Sequence, residues 1–201
     1  MVASPTTTMM NRQELIKQIL SAPAFRKFST DWLVVDIDPN RSEPRARITG
    51  NNMSIASGIA KDTEFIKLFL HEFGHYIDIH VLKSSSFIED PSKEFYKISW
   101  KSKDIKLPGL KLGDFVSGYA ATDQYEDFAE TFVLYVFHNV RFADMALVTP
   151  ILREKYLFFR STVFPNWEFE DTDFTISPLP KNPWDTTKIT FSLKKYLYFI
   201  R

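Results

Sequence analysis

The chain has 201 residues, 44% of them apolar and 25% charged, which is typical of globular proteins and excludes disordered and collagen-like classes. Lysine plus arginine and aspartate plus glutamate are equal at 25 each, so no net charge attracts polyanions and we expect no nucleic-acid partner. The absence of cysteine excludes disulfides, thiol nucleophiles and cysteine metal sites. We expect neither a signal peptide nor a membrane span, because no apolar stretch approaches about 18 residues.

The first third of the chain predicts one helix followed by a small sheet. Residues 1–10 are polar and are expected to be flexible. Apolar residues at helical spacing predict a helix over residues 12–28, interrupted near Pro23. Three short segments rich in β-branched residues then predict strands, which are DWLVVDIDPN (31–40), RARIT (45–49) and NNMSIAS (51–57).

The strongest helix signal in the chain covers residues 61–82. An apolar stripe with the spacing i, i+4, i+7 and i+11 begins at Ile66, whereas His71, His75 and Asp78 lie on roughly the opposite side. Further apolar residues fill the remaining surface of this helix. The pattern therefore predicts a buried helix whose polar side chains need partners.

The second half of the chain is predicted to be mostly helical. Asp90 is suited to cap a short helix that begins at Pro91. Two longer helices are predicted at residues 123–140 and 149–160, and residues 188–201 are predicted to add a strand to an existing sheet edge.

These elements indicate an α+β fold with a small N-terminal mixed sheet and a mostly helical C-terminal part. We expect one domain at residues 11–164 and an extension of unknown role at residues 165–201.

The buried helix carries the sequence HEFGH, an H-E-x-x-H motif from His71 to His75. Two imidazoles four residues apart lie on one helix face and can bind the same Zn²⁺, and Glu72 can take a proton from bound water. A catalytic zinc site needs a third protein ligand and leaves the fourth position to water. The alternative is a core helix with hydrogen-bonded histidines.

The other histidines do not supply an obvious third ligand. A metzincin would need glycine and histidine where this chain has Asp78 and Val81. His80 points away from His71, and His138 lies near a helix end, so both are expected to be structural.

Two glutamates on the later helix are better candidates. Glu126 and Glu130 are four residues apart on a face that continues into apolar residues, where a carboxylate must be paired, coordinated or protonated. A capping box with Asp123 as the N-cap is the competing explanation of Glu126, but it leaves Glu130 unexplained.

The combination of HEFGHYID, Tyr119 and EDFAETF resembles the catalytic domain of the anthrax lethal factor type. This group of gluzincin-like zinc metallopeptidases includes the bacterial Pro-Pro endopeptidases. The similarity covers about residues 60–145, with Tyr119 seven positions before Glu126 and with Glu126 following Glu72 by 54 positions (126 − 72 = 54).

The resemblance implies a zincin-like fold for residues 11–164 and one Zn²⁺ per chain. It implies that His71, His75 and Glu126 bind the zinc, that Glu72 is the general base and that Tyr119 stabilises the oxyanion. Glu130 would accept a hydrogen bond from a metal-bound imidazole. Asp78 could serve the same purpose, and the equally weighted alternative is that it is an ordinary charge near a helix end.

The resemblance also implies a position for the substrate. In zincin folds an edge strand pairs with the extended substrate, and here that strand would contain Ser54, Ile55 and Ala56.

These features lead us to expect a zinc-dependent endopeptidase that acts on a protein or peptide. The resemblance also implies export. Two alternatives stay open. One is a regulatory metallopeptidase of the repressor-cleaving kind, whose glutamate motif follows at a shorter distance. The other is a non-catalytic zincin-fold binding module, which would require neither Glu72 nor Tyr119.

Overall fold

Residues 11–83, 90–178 and 183–201 are described by a computed structural model, and they form an α+β fold. Residues 1–10, which were expected to be flexible, lie outside the described residues. The helices are α1 (Arg12–Ser21), α2 (Asp62–Tyr76), α3 (Pro91–Ser99), α4 (Gln124–Phe137), α5 (Asn139–Val148), α6 (Pro150–Phe158) and α7 (Leu193–Phe199).

Two helices continue as π-helical turns, α2 through Ile77–Leu82 and α6 through Phe159–Val163. Short 3₁₀ turns lie at Leu112–Asp114 and Thr186–Lys188. The strands are β1 (Val34–Asp38), β2 (Ala46–Thr49), β3 (Asn52–Ala56), β4 (Trp100–Ser102) and β5 (Ile105–Lys106).

The N-terminal sheet is mixed, as predicted, with the strand order β1-β3-β2. Strand β3 is parallel to β1 and antiparallel to β2, so that Ile55 lies opposite both Ile37 and Ala46. The prediction that Ser54, Ile55 and Ala56 belong to an edge strand is therefore wrong. These residues lie in the central strand, which suits its buried Met53, Ile55 and Ala56, and β1 and β2 are the two edges.

Helix α2 is buried on all sides, which confirms the prediction from its sequence. The apolar stripe that begins at Ile66 packs into the core, while His71, His75 and Asp78 are also buried, on the side toward α4 and α3. The two helices approach closely at Gly74, where an added Cβ would lie 3.2 Å from Ala129 Cα and 3.3 Å from Phe132 Cβ. Small residues at this contact bring the polar sides of α2 and α4 together.

Capping residues define several helix ends. Asp90 caps α3 as predicted, accepting a hydrogen bond from Ser92 N at 3.2 Å. The predicted first helix ends earlier than residue 28, at Ser21, since Pro23 follows. Turns after Ser21 place Phe25 and Phe28 in the core.

The predicted helix at residues 123–140 is two helices instead of one. Helix α4 ends at Phe137, and α5 follows after a bend of 119°. His138 at the bend has φ −138° and ψ 40°, and its buried ring contacts Lys67 and Thr175. Tertiary contacts of His138 therefore override the helical pattern of the sequence around it. No single described helix is long and apolar enough to cross a membrane; α4 and α5 reach that length only together.

The prediction of a strand at residues 188–201 is wrong, because half of this segment forms α7. Phe191 makes a single β-bridge to Thr175, and Ser192 then caps α7. Tyr196 and Ile200, four residues apart, bury one side of the helix end.

The described part of residues 165–201 packs into the same hydrophobic core as the preceding residues. Phe169, Phe174, Phe191 and Tyr196 all belong to this core. Residue 164 is therefore not a boundary between separate cores.

The close approach at Gly74 predicts that Gly74→Ala destabilises the protein. We expect a loss of about 1–3 kcal/mol in the free energy of unfolding, because the added methyl group pushes against the backbone of Ala129. Urea unfolding of the wild type and the variant measures this difference in the free energy of unfolding. In the control Gly113→Ala the Cβ meets nothing within 4 Å, and the change should stay within about 1 kcal/mol. Equal effects of both substitutions would contradict the prediction.

Candidate metal centre

Helices α2 and α4 bring two imidazoles and one carboxylate together. One nitrogen from each of His71 and His75 and one oxygen of Glu126 lie within 4.8 Å of one another. Nε2 of His71 is 3.1 Å from Glu126 Oε2, and Nε2 of His75 is 3.4 Å from the same oxygen. Since the three donor atoms converge on one point, this group could hold a metal ion.

The chemistry of the donor set fits a transition metal such as Zn²⁺. Burial disfavours ionised Glu126, but hydrogen bonds with His71 and His75 outweigh it and hold the pKa of Glu126 well below its usual range. Burial likewise disfavours charged His71, yet its hydrogen bonds to Glu126 and Glu130 raise its pKa well above the ordinary value. A metal ion would therefore displace a proton and meet a carboxylate that is already ionised.

Glu130 orients the imidazole of His71 from behind. This carboxylate is fully buried, and its Oε1 lies 3.1 Å from His71 Nδ1. Because a carboxylate can only accept, Nδ1 carries the hydrogen and Nε2 faces Glu126. Ser117 Oγ and Thr186 N donate to the other oxygen of Glu130 at 2.6 and 2.8 Å.

Tyr119 and Glu72 line a cleft of about 160 Å³ beside the three donors. The hydroxyl of Tyr119 donates to Glu126 Oε1 at 3.1 Å, and its ring stacks against His71 with centroids 6.0 Å apart. Burial and the nearby charge of Glu126 raise the pKa of Tyr119, so its hydroxyl keeps its proton at neutral pH. The cleft thus contains a carboxylate and a phenolic hydroxyl that can transfer or donate protons.

One wall of this cleft comes from residues 183–187, near the end of the chain. Tyr119 N donates to Trp184 O at 2.7 Å, and Gly118 N donates to Pro183 O at 2.8 Å. A Cβ at Gly118 would lie 2.5 Å from Trp184 Cε3, so only glycine allows the indole to pack here.

The opposite wall includes the start of β2, and an ion-pair network joins the two walls. Arg45 and Ala46 line the cleft, and Arg45 binds both Glu64 and Asp185, the latter at 2.9 Å. The strand that borders the cleft is therefore β2 and not β3.

Lys67 connects the cleft wall at residues 183–187 to the core. Its buried ammonium donates to Thr186 O at 3.1 Å and lies 2.8 Å from His138 Nε2. Burial lowers the pKa of Lys67 to about 7, and burial together with Lys67 lowers the pKa of His138 well below its usual value. His138 has the structural role that the sequence predicted, accepting from Lys67 and contacting Thr175 Oγ1 at 2.7 Å.

Three other predicted residues lie outside this arrangement or differ from expectation. Asp78 is buried, but its Oδ2 accepts from Tyr96 OH at 2.5 Å, and its Oδ1 has no hydrogen-bond partner among the described residues. His80 stacks on Tyr76. Asp123 caps α4 as predicted, whereas the Glu126 carboxylate lies 3.1 Å from His71 Nε2 instead of completing a capping box.

Sequence reasoning missed Ser117, Thr186, Arg45, Lys67 and Trp184. Thr186 acts through its backbone N–H and carbonyl, which carry no residue-specific signal. A buried lysine within the apolar run before HEFGH was the one available clue, since an ammonium on a buried helix requires a partner.

Comparisons of the chain with protein-family models, with curated proteins and with solved structures give no match. The roles of residues at this centre therefore rest on their geometry and chemistry.

The geometry predicts that Glu126 is a metal ligand and that Ser117 supports one. Competition titration with a chromophoric chelator should show one tight Zn²⁺ site in wild type and a severe loss of affinity in Glu126→Ala. Ser117→Ala should lose less zinc affinity, roughly 10-fold, which is the lower end of the 10–100-fold range typical of residues that support metal ligands through hydrogen bonds. Glu14→Ala, at an exposed position, is the control. Equal affinity in wild type and Glu126→Ala would remove Glu126 from the ligand set.

Proposed function

We propose that this chain is a zinc-dependent endopeptidase with a zincin-type fold. The observation that carries the proposal is the convergence of His71, His75 and Glu126 beside a cleft lined by Glu72. Two histidines and one glutamate form a donor set used by catalytic zinc sites, which leave the fourth position open. The proposal of a zincin-type fold is supported by the position of helix α2 beside the edge strand β2.

The proposed reaction is the hydrolysis of a peptide bond. When bound, zinc supplies a Lewis acid that polarises the scissile carbonyl and lowers the pKa of a water molecule to about 7. Glu72 removes a proton from the attacking water as the new C–O bond forms. It then delivers this proton to the amine nitrogen as the C–N bond breaks, so the base of the first step is the acid of the second.

Tyr119 stabilises the negative charge that develops on the carbonyl oxygen. Its hydroxyl retains a proton and lies at the rim of the donor group, 3.1 Å from Glu126 Oε1. A donor aimed at a developing oxyanion in a partly buried cleft is a strong source of rate enhancement. Glu130 meanwhile keeps His71 in the orientation that presents Nε2.

The extended substrate pairs with β2 in this proposal. Strand β2 is one of the two edges of the sheet, and its residue Ala46 lines the cleft. Backbone hydrogen bonds to an edge strand hold a substrate without demanding a particular side chain. Arg45, at the start of the edge, and Trp184, on the opposite wall, are placed to contact substrate side chains.

A catalytic function is better supported than a purely structural metal site. Structural zinc sites are typically closed by four protein ligands, whereas the described residues supply three donors here. Glu72 is also unnecessary for holding a metal, yet it faces the cleft.

The general-base role predicts that Glu72→Gln binds metal normally and loses turnover. We expect kcat on a fluorogenic peptide library to fall by about 10²–10⁴-fold, because glutamine cannot accept the proton. Zinc affinity should match that of wild type. Glu14→Gln, at an exposed position on α1, should retain full activity. Normal turnover in Glu72→Gln would contradict the role.

The oxyanion role predicts a different signature for Tyr119→Phe. The ring that stacks on His71 is kept and only the hydroxyl is lost. We expect kcat to fall by about 10²–10³-fold with little change in KM, since the hydroxyl acts mainly in the transition state. A raised KM with unchanged kcat would instead make Tyr119 a substrate-binding residue.

A further inference from the structure

A second and larger cleft, of about 500 Å³, is lined by residues that lie close to two of the metal donors along their helices. One side of it is Ile79, which follows His75 by four residues, about one turn of helix. Another side is Tyr125, which directly precedes Glu126 on α4. The catalytic cleft lies instead toward Leu68 and Glu72. The two clefts therefore flank the metal donors along α2.

The rim of the second cleft is strongly basic. Among the described residues, its lining includes five lysines, which are Lys83, Lys93, Lys97, Lys101 and Lys103, against the single acid Asp90. The chain as a whole has as many acids as bases, so this local excess of four positive charges (5 − 1 = 4) is a marked asymmetry.

Three of these ammonium groups are available to a ligand. Lys93 lies 3.9 Å from Asp90, and Lys97 binds Glu94 at 2.5 Å. Lys83, Lys101 and Lys103 are exposed and form no ion pair with any acid of the described ranges.

The floor of the cleft is aromatic, and the polar groups of Tyr96 and Trp100 are bound to internal carboxylates. Tyr96 OH donates to the buried Asp78, and Trp100 Nε1 donates to the buried Asp127 at 2.9 Å. Tyr96 and Tyr125 pack edge to face with centroids 5.6 Å apart. Because these hydroxyl and indole groups have internal partners, the cleft offers the surface of the rings at its floor and ammonium groups at its rim. This combination suits a ligand with carboxylates and apolar side chains in alternation.

We infer that this cleft binds an acidic segment of the substrate polypeptide, a few residues from the cleaved bond. The inference rests on the proposed function, since it assigns the substrate class of that site. From His71 to Ile79 the helix rises about 12 Å, and an extended chain covers that length in roughly three to five residues.

A polypeptide fits the position better than other polyanions do. The cleft is lined by residues next to two of the metal donors, and outside this lining the chain has more acids than bases (25 − 1 = 24 against 25 − 5 = 20), so there is no overall excess of positive charge to follow a nucleic-acid backbone or an anionic membrane. The acidic segment therefore acts as an anchor, holding the neighbouring peptide bond over the donor group.

The test measures binding without hydrolysis, in metal-loaded Glu72→Gln protein. The probes are a fluorescein-labelled peptide of alternating glutamate and leucine and its glutamine–leucine counterpart. Near physiological salt we expect the acidic peptide to bind about tenfold tighter or more, with the difference shrinking as salt rises. No preference for the acidic peptide would overturn the inference.

Charge reversal locates the binding site. Lys101→Glu/Lys103→Glu should abolish the preference, while Lys194→Glu/Lys195→Glu, on exposed positions of α7, should preserve it. The milder Lys101→Ala/Lys103→Ala variant should weaken the preference in the same direction. A preference that the cleft variants leave unchanged would overturn the inference. Tighter binding of an oligouridylate or of phosphatidylserine vesicles, lost in the cleft variants, would also overturn it, in favour of that ligand.

Failure of this inference and failure of the proposed function give different results. If the protein with Glu72 intact cleaves acidic and neutral peptides equally, and the cleft variants do the same, only the inference fails. If it cleaves neither peptide while the charge-dependent binding remains, the peptidase proposal fails and the acidic-ligand cleft stands.

Discussion

The buried carboxylate of Glu130 is the constraint on which the candidate centre depends. A charge without solvent is costly unless several donors surround it. Glu130 obtains these donors from three separate parts of the chain, which are His71 on α2, Ser117 in a loop and Thr186 near the C-terminal helix. Each of these parts is thereby held in one position relative to α4. The position of Tyr119, two residues after Ser117, follows from the same bond.

The packing of α2 against α4 makes this bonding possible. Gly74 and Ala129 allow the helices to approach until imidazole and carboxylate groups meet. On the other side of α2, Phe73 packs against Phe25 and Phe28 at centroid distances of 6.1 and 6.0 Å. The packed aromatic rings hold α2 in place. The hydrogen bonds on its polar side then fix the positions of the donor atoms. Rigid helices are better supports for such a site than loops are.

The features of the fold and of the site that could be predicted are those determined by residues close together in the sequence. Helix α2 followed from its apolar spacing, α3 and the start of α4 from their caps, and the donor group from HEFGH and the later glutamate. Strand order could not be predicted, because β2 and β3 differ mainly in burial, which depends on what packs above them. Residues 188–201 contain β-branched and aromatic residues that favour a strand, but burial of Tyr196 and Ile200 on one side selects a helix.

The contribution of Thr186 has a consequence for the order in which the centre is assembled during biosynthesis. Thr186 follows His71 by 115 positions (186 − 71 = 115), so the three metal donors, Glu72 and Tyr119 all leave the ribosome well before it. A nascent chain that has reached only α4 contains every donor, but it lacks one hydrogen bond to Glu130 and the cleft wall at residues 183–187. Completion of the centre therefore follows the synthesis of all its donors, so a growing chain can contain every donor before it contains the finished site.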